Sequence, residues 1–349
     1  MADRDSPVFS AVSSSARQLY LLLRCISFAP KAQVQISEEG LRFTASESSV
    51  LEGMVFLEKA LFTTFQYKAP RHSTPDSDAS VDEQEDEIAT NPTFAISLPS
   101  LLETLQIFGL STENNANKPN AYRRDGYNNA FSHDVLGISG SCSITWEKPG
   151  NPLTVILQEA QITTTCDLVT YEPLSLADIP FNRENLVLKV IMRASYLHDA
   201  ITELSSTNPQ SLTLTASPTS LILSASSTLG SAIVEFDRDS KTGHISTNRN
   251  TNGNGNGTDK QGSGLLETFH VPEPFSQSYK FSHVGNAKKA LASATKVSVR
   301  ADEQGVLSLQ FMIENLEGGG VSFVDYRFVP LVGEEGDETS TTEEEGEEE

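Results

Sequence analysis

Ala16-Arg17-Gln18-Leu19-Tyr20-Leu21-Leu22-Leu23-Arg24-Cys25-Ile26, with the change of period that follows it as far as Tyr67, decides the fold. Leu19, Leu22, Leu23 and Ile26 recur at steps of three and four residues, the spacing of one buried helix face. Arg17 and Arg24 lie two turns apart along one line, on a different face. The period then becomes two. Val34 and Ile36 lead to the polar turn Ser37-Glu38-Glu39-Gly40, and Leu41, Phe43 and Ala45 follow, a hairpin with one buried face. More strand is predicted over 51–57 and 62–67, and the short strand Val8-Phe9 precedes the helix. The unit is a strand, a helix and a meander of strands.

The same unit returns three times. Phe94-Ala95-Ile96 leads into a predicted helix over 98–108, with strands over 136–146 and 153–157. Residues 186–192 lead into a helix over 194–204, then Leu212-Thr213-Leu214, the turn Ser217-Pro218-Thr219-Ser220 and Leu221-Ile222-Leu223. Tyr279-Lys280-Phe281 leads into a helix over 284–296, then Val297-Ser298-Val299, the turn Asp302-Glu303-Gln304-Gly305 and Leu307, Leu309 and Phe311. Ser97 and Ser282 stand where helix N-caps are expected.

A chain of 349 residues holds about two domains, each able to bury its own core. The first is expected over 6–170 and the second over 184–331. Tyr171-Glu172-Pro173-Leu174-Ser175-Leu176-Ala177-Asp178-Ile179-Pro180 interrupts the strand pattern with two prolines, and 171–183 reads as the connector. An acidic insert (70–92) lies between two units, an Asn-rich insert (111–134) and a Gly/Asn insert (240–264) within units, and 332–349 forms an acidic tail. The net charge is −22, of which the acidic insert and tail hold −16. The remaining body is only mildly acidic and can carry one basic face. No apolar run approaches the ~20 residues of a membrane span, and no membrane partner is expected. Cys25, Cys142 and Cys166 lack metal spacing and read as reduced thiols of a nuclear or cytosolic protein.

Lysine and arginine gather on three of the four predicted helices. The first offers Arg17 and Arg24, the third begins at Arg193, and the fourth carries Lys288, Lys289 and Lys296. The second has none. Singly, each cation is an ordinary solvated side chain. Together they point to a phosphate-facing surface, salt-sensitive and indifferent to base sequence.

Two pairs of such units resemble the α+β fold of the PCNA-type sliding clamp. Gly40-Leu41-Arg42-Phe43-Thr44-Ala45, Phe62-Thr63-Thr64-Phe65-Gln66-Tyr67 and the ending Val321-Ser322-Phe323-Val324-Asp325-Tyr326-Arg327-Phe328-Val329-Pro330 are similar to the Rad-one-type subunit of the nine-one-one checkpoint clamp. The resemblance implies two clamp domains, helices on the inner face and sheets outside. It implies a ring of three different subunits around duplex DNA, loading by a clamp-loader ATPase, and recruitment of checkpoint and repair proteins in the nucleus. Edge strands of neighbouring subunits would pair to close the ring. By the same resemblance Arg17, Arg24, Arg193, Lys288, Lys289 and Lys296 face the DNA, the bare second helix departs from an even lining, and Leu174, Leu176 and Ile179 border a groove for partner peptides.

The chain then acts as a scaffold, with no catalytic residue, metal or cofactor expected. The alternatives are a metal-dependent DNA exonuclease and a homotrimeric replication clamp. For the first, Glu235, Asp237 and Asp239 alternate on one strand face, but two-metal chemistry needs further acids converging from other elements. The histidines show no paired-ligand spacing, His133-Asp134 ends an Asn-rich loop, and no phosphate-loop motif occurs. Trp146 continues the alternation of Cys142 and Ile144, as a packing residue does.

Overall fold

The structure is a computed structural model. It describes residues 7–69, 91–107, 141–159, 162–173, 178–228, 230–238, 266–316 and 319–332. The predicted inserts at 70–92, 111–134 and 240–264 and the tail at 332–349 lie outside these residues, apart from Asn91, Pro92 and Val332.

The N-terminal half begins β1 (Phe9–Ser13), α1 (Ala16–Arg24), β2 (Lys31–Ile36), β3 (Gly40–Glu47), β4 (Leu51–Glu58) and β5 (Thr64–Tyr67). It continues β6 (Thr93–Ser97), α2 (Leu98–Gln106), β7 (Ser141–Trp146), β8 (Leu153–Glu159), β9 (Ile162–Leu168) and β10 (Thr170–Tyr171). The C-terminal half holds β11 (Leu186–Arg193), α3 (Ala194–Leu204), β12 (Ser211–Ala216), β13 (Ser220–Ser227), β14 (Gly230–Asp237) and β15 (Leu266–His270). It ends β16 (Phe275–Lys280), α4 (Phe281–Gly285), α5 (Lys288–Ser293), β17 (Lys296–Asp302), β18 (Leu307–Glu314) and β19 (Val321–Phe328). The order strand, helix, meander occurs four times, as the hydrophobic periods predict.

Helix α1 starts where Ser15 Oγ accepts from the Gln18 N–H, 3.2 Å away, an N-cap that the residue pattern did not single out. It buries Leu19, Leu22 and Leu23, each worth about 1.5–3 kcal/mol of apolar burial. Ser97 caps α2 as expected, accepting from the Ser100 N–H. Ser282 does not cap a helix. It lies inside α4, which Lys280 precedes. The single helix expected over 284–296 is two short helices. Gly285 and Asn286, weak helix formers, stand at the break, and the Asn286 and Ala287 amides bond three residues back to His283 and Val284, a tighter winding. Lys296 consequently opens strand β17 and is not on a helix.

The strands form three antiparallel sheets. One is β5-β1-β7-β8-β9, another is β14-β13-β12-β16, and the largest runs β10-β6-β2-β3-β4-β19-β18-β17-β11-β15. The ten-stranded sheet crosses from one half to the other where β4 pairs with β19, from Val55↔Val324 to Leu51↔Phe328. The last strand of the chain thus closes on the fourth, and this seam joins segments very far apart in sequence.

Helix α1 lies against β4 at the seam. Gly53 makes room for Phe28, in the turn after α1: a Cβ there would sit 2.7 Å from the Phe28 ring. Phe28 leans on Tyr326 at 5.6 Å between centroids. The buried Tyr326 hydroxyl donates to the Cys25 carbonyl, with the Asn286 carbonyl 3.3 Å away, so it joins the end of α1 to the α4–α5 break. Trp146 is buried and stacks on Phe94 at 4.7 Å, the packing role expected of it. Cys25 and Cys142 are buried thiols, pushed up to about 11 and about 12 by desolvation, and all three cysteines are free of disulfides. Among the described residues no helix is long and apolar enough to cross a membrane.

Candidate nucleic-acid and partner interfaces

The helices make a row. Helix α2 packs on α1, α1 on α5, and α5 on α3, so the row crosses the seam. Their apolar residues are buried against the sheets, and the opposite side carries the charges. On α1, Arg24 is exposed and Arg17 half-buried. On α5, Lys289 is exposed and Lys288 half-buried. The outer pair differs in sign: α2 exposes Glu103, and α3 exposes Asp199 and Glu203. The cations of the row are therefore concentrated on the two central helices, α1 and α5.

The two lysines of α5 diverge toward the carboxyl ends of its neighbours. Lys288 Nζ donates to Ser205 Oγ, 3.0 Å away, at the C-cap of α3. Lys289 Nζ donates to Ser27 Oγ, 2.8 Å away, just past α1. A cation beside a helix C-terminus is favoured by the helix dipole by about 0.3–1 kcal/mol, which explains why lysine stands at both positions.

Arg193 and Lys296 are placed elsewhere. They are register partners at the ends of β11 and β17. Val297, Val299 and Ala301 of β17 are buried under the helices, so alternation sets Lys296 on the other sheet face. There its Nζ pairs with Glu267 of β15 at 2.7 Å. The sequence spacing predicts Lys289 and Lys296 two turns apart on one helix. The structure corrects this, because Lys296 pairs with Met312 as part of the sheet.

A second cluster lies on that outer sheet face, under the connector. Leu174 and Leu176 lie outside the described residues. Ile179 is buried, at 4% exposure, although it was expected at the rim of a groove. Its N–H donates to Glu52 Oε2 at 3.2 Å, and its carbonyl accepts from Arg327 at 2.6 Å. Asp178 pairs with Arg42 at 2.7 Å. Arg300 stands 5.6 Å from the Phe181 ring centroid, and the Asn182 N–H donates to Asp302 at 3.1 Å. Glu52, with 3% of its side chain exposed, lies 3.5 Å from Arg327 and 4.0 Å from Arg42. Burial pushes its carboxyl up, nearby Asp178 adds to this, and Arg327, the Ile179 N–H and Arg42 oppose it. Arg300 also pairs with Asp325 at 3.5 Å, where burial raises the carboxyl against the pull of the arginines. Sequence reasoning missed this cluster. Arg42, Glu52, Arg300 and Arg327 sit on four different strands, so no local spacing connects them.

Glu235 and Asp237 are exposed on edge strand β14, opposite Ile222 and Ser220. Asp239 lies outside the described residues. Among the described residues no group of three or more His, Cys, Asp or Glu side chains converges.

Comparison with known proteins bears on residues 8–313, which match the family model described as Repair protein Rad1/Rec1/Rad17. The chain is 29% identical to the DNA damage checkpoint control protein rad1 of Schizosaccharomyces pombe, over 93% of this chain and 87% of that protein. It is 27% identical to the human cell cycle checkpoint protein RAD1, over 92% of each. It is also 28% identical to the DNA repair exonuclease REC1 of Mycosarcoma maydis, over 59% of this chain and 46% of that protein.

Proposed function

As the chain belongs to the Rad1/Rec1/Rad17 family of repair proteins, we propose that it is a non-catalytic subunit of a heterotrimeric checkpoint clamp. The clamp encircles duplex DNA at damage sites in the nucleus and recruits checkpoint-signalling and repair proteins. The observation that carries this reading is the helix row across the seam, backed by one continuous sheet. The cationic middle of this row, on α1 and α5, is the part offered to a polyanion. On this reading residues 6–170 and 184–331 are the two clamp domains, 171–183 is the connector, the helices line the hole and the sheets form the outer wall.

Arg17, Arg24, Lys288 and Lys289 are the proposed DNA-facing set. They touch phosphates, since a ring that slides needs no base readout. Ring closure falls to β9 and β14, sheet edges among the described residues, which lie in opposite halves of the chain. Each bears an exposed aliphatic residue, Ile162 at 61% and Ile233 at 66% exposure, suited to packing against a neighbouring subunit. A clamp-loader ATPase then opens one such interface to admit DNA.

Purification of the full chain from cells, followed by mass measurement, tests the assembly. The expected species contains one copy of this chain and two different partner chains, stays on closed circular duplex, and slides off when the circle is cut. A stable trimer of this chain alone overturns the heterotrimer in favour of a replication-type clamp.

The exonuclease name of one relative motivates a second reading, with Glu235 and Asp237 as metal ligands. Purified chain with Mg²⁺-dependent nuclease activity that disappears in Asp237→Ala defeats the scaffold assignment. Activity that is absent, or that survives the substitution, removes this second reading.

A further inference from the structure

The cationic middle of the helix row contains no acid, in a chain that has many. Residues 16–30 and 281–295, which hold α1, α4 and α5, contain Arg17, Arg24, Lys288 and Lys289 and no Asp or Glu, although the chain has 47 acids against 25 Lys and Arg. Arg24 and Lys289 are exposed, and Ser27 stands between them: its Oγ donates to the Arg24 carbonyl and accepts from Lys289. Glu103 of α2 lies on one side, and Asp199 and Glu203 of α3 on the other. An anion is therefore attracted to α1 and α5 and repelled from the helices that flank them.

The chain carries an anion of its own within reach. Residues 333–349 hold ten Asp or Glu and no Lys or Arg. They follow Val332, which is 96% exposed, and Leu331, whose N–H donates to the Ser278 carbonyl of β16 at 2.7 Å. Strand β16 leads directly into α4. By strand and helix rise, with the break between α4 and α5 counted as extended, Lys289 lies at most about 30 Å from Ser278. Residues 333–349 can reach up to about 55 Å from their origin.

We infer that the α1–α5 face is a docking surface for the acidic C-terminal segment 333–349, which masks the DNA-facing cations until duplex displaces it. The segment is tethered near its site, so it competes at an effective concentration on the order of millimolar. Its hold is a sum of exposed ion pairs, individually weak and screened by salt. Duplex DNA presents one charge per about 1.7 Å of axis, and a ring that surrounds it cannot drift away. Stray contact with nucleic acid is thus discouraged, while threaded duplex wins. The inference rests on the reading of α1 and α5 as the DNA-facing part of a clamp subunit.

The test begins with the isolated full chain. A carbodiimide joins a lysine amine to a carboxylate in contact with it. It should couple Lys288 or Lys289 to a glutamate of 343–349, and about 0.5 M salt should suppress the product about ten-fold. Glu343→Gln, Glu344→Gln and Glu345→Gln together with Glu347→Gln, Glu348→Gln and Glu349→Gln remove the charge of that run. In this variant a soluble succinimidyl ester should acylate Lys289 about three-fold or more faster. Acylation of Lys296, on the opposite sheet face, should stay the same. No product between the α5 lysines and the tail overturns the inference, whether the tail couples elsewhere or the acidic insert at 70–92 takes its place. Unchanged acylation of Lys289 overturns it too. Neither ring nor DNA enters these measurements, so failure here leaves the clamp reading standing. In the assembled ring the same variant should hold duplex about ten-fold more tightly at low salt, and an unchanged hold overturns the masking.

Discussion

Nζ of Lys289 donates to Oγ of Ser27 across 2.8 Å, and Ser27 Oγ in turn donates to the Arg24 carbonyl. A lysine from the C-terminal half thus seals the end of a helix from the N-terminal half, at the centre of the helix row. On the clamp reading the charge has two duties, fastening the seam and facing the DNA.

Lys289→Glu combined with Lys288→Glu should weaken retention of the assembled ring on DNA. The slope of log K against log salt should become shallower by about 0.9 for each phosphate no longer neutralised. Lys296→Glu, on the opposite sheet face, should leave both quantities unchanged. A salt series on the unaltered ring and the two altered rings measures this, and equal weakening by the Lys296 variant would return Lys296 to the lining.

Tyr326→Phe removes the hydroxyl that reaches Cys25 and leaves a buried carbonyl at the seam with one donor fewer. The expected loss is about 1–3 kcal/mol of unfolding free energy. Urea unfolding of the isolated chain measures it. A change near zero would show that the carbonyl finds another donor.

His283 of α4 is buried and lies 3.7 Å from Glu47 at the end of β3. Burial lowers its pKa, Glu47 raises it, Lys280 lowers it again, and the net direction is down. The unfolded chain therefore binds this proton at a higher pH than the native one does. Stability should be full above the ordinary histidine range and decline as pH falls through that range toward the lowered native value. His283→Gln should flatten this part of the profile. Urea midpoints between about pH 7.5 and about pH 5.5 report it, and a decline just as steep in the variant would assign it to other groups.

Ile233→Lys on β14 and Ile162→Lys on β9 alter exposed positions, so the isolated chain should unfold within about 0.5 kcal/mol of the unaltered one. Each should nonetheless prevent ring assembly, since a lysine cannot be desolvated in an apolar interface without a partner. Size-exclusion chromatography of mixed subunits gives the outcome. Normal assembly with both variants would move the subunit interfaces to other edges.

Much of the element order is legible in the residues because the hydrophobic period carries it. Helix α3 coincides with the predicted 194–204, and the hairpin of β2 and β3 falls where Val34, Ile36, Leu41 and Phe43 alternate. The edge strands are harder to read. The β9 sequence Ile162-Thr163-Thr164-Thr165-Cys166-Asp167-Leu168 has little apolar alternation, because an edge strand buries little of either face. The helix expected over 284–296 is too long because Lys289 and Lys296 keep helical spacing. Ladder pairing of Lys296 with Met312 overrides that spacing.

Where the chain turns helical, where it alternates, and which side of each element is apolar are properties of neighbours along the backbone, and the residues alone announce them. That Glu52 and Arg327 face each other beneath Ile179, and that α5 stands between α1 and α3, emerges only once the chain has folded. Both depend on β19 pairing with β4. A pairing between such distant segments is selected by the closure of the whole core, which no local pattern records.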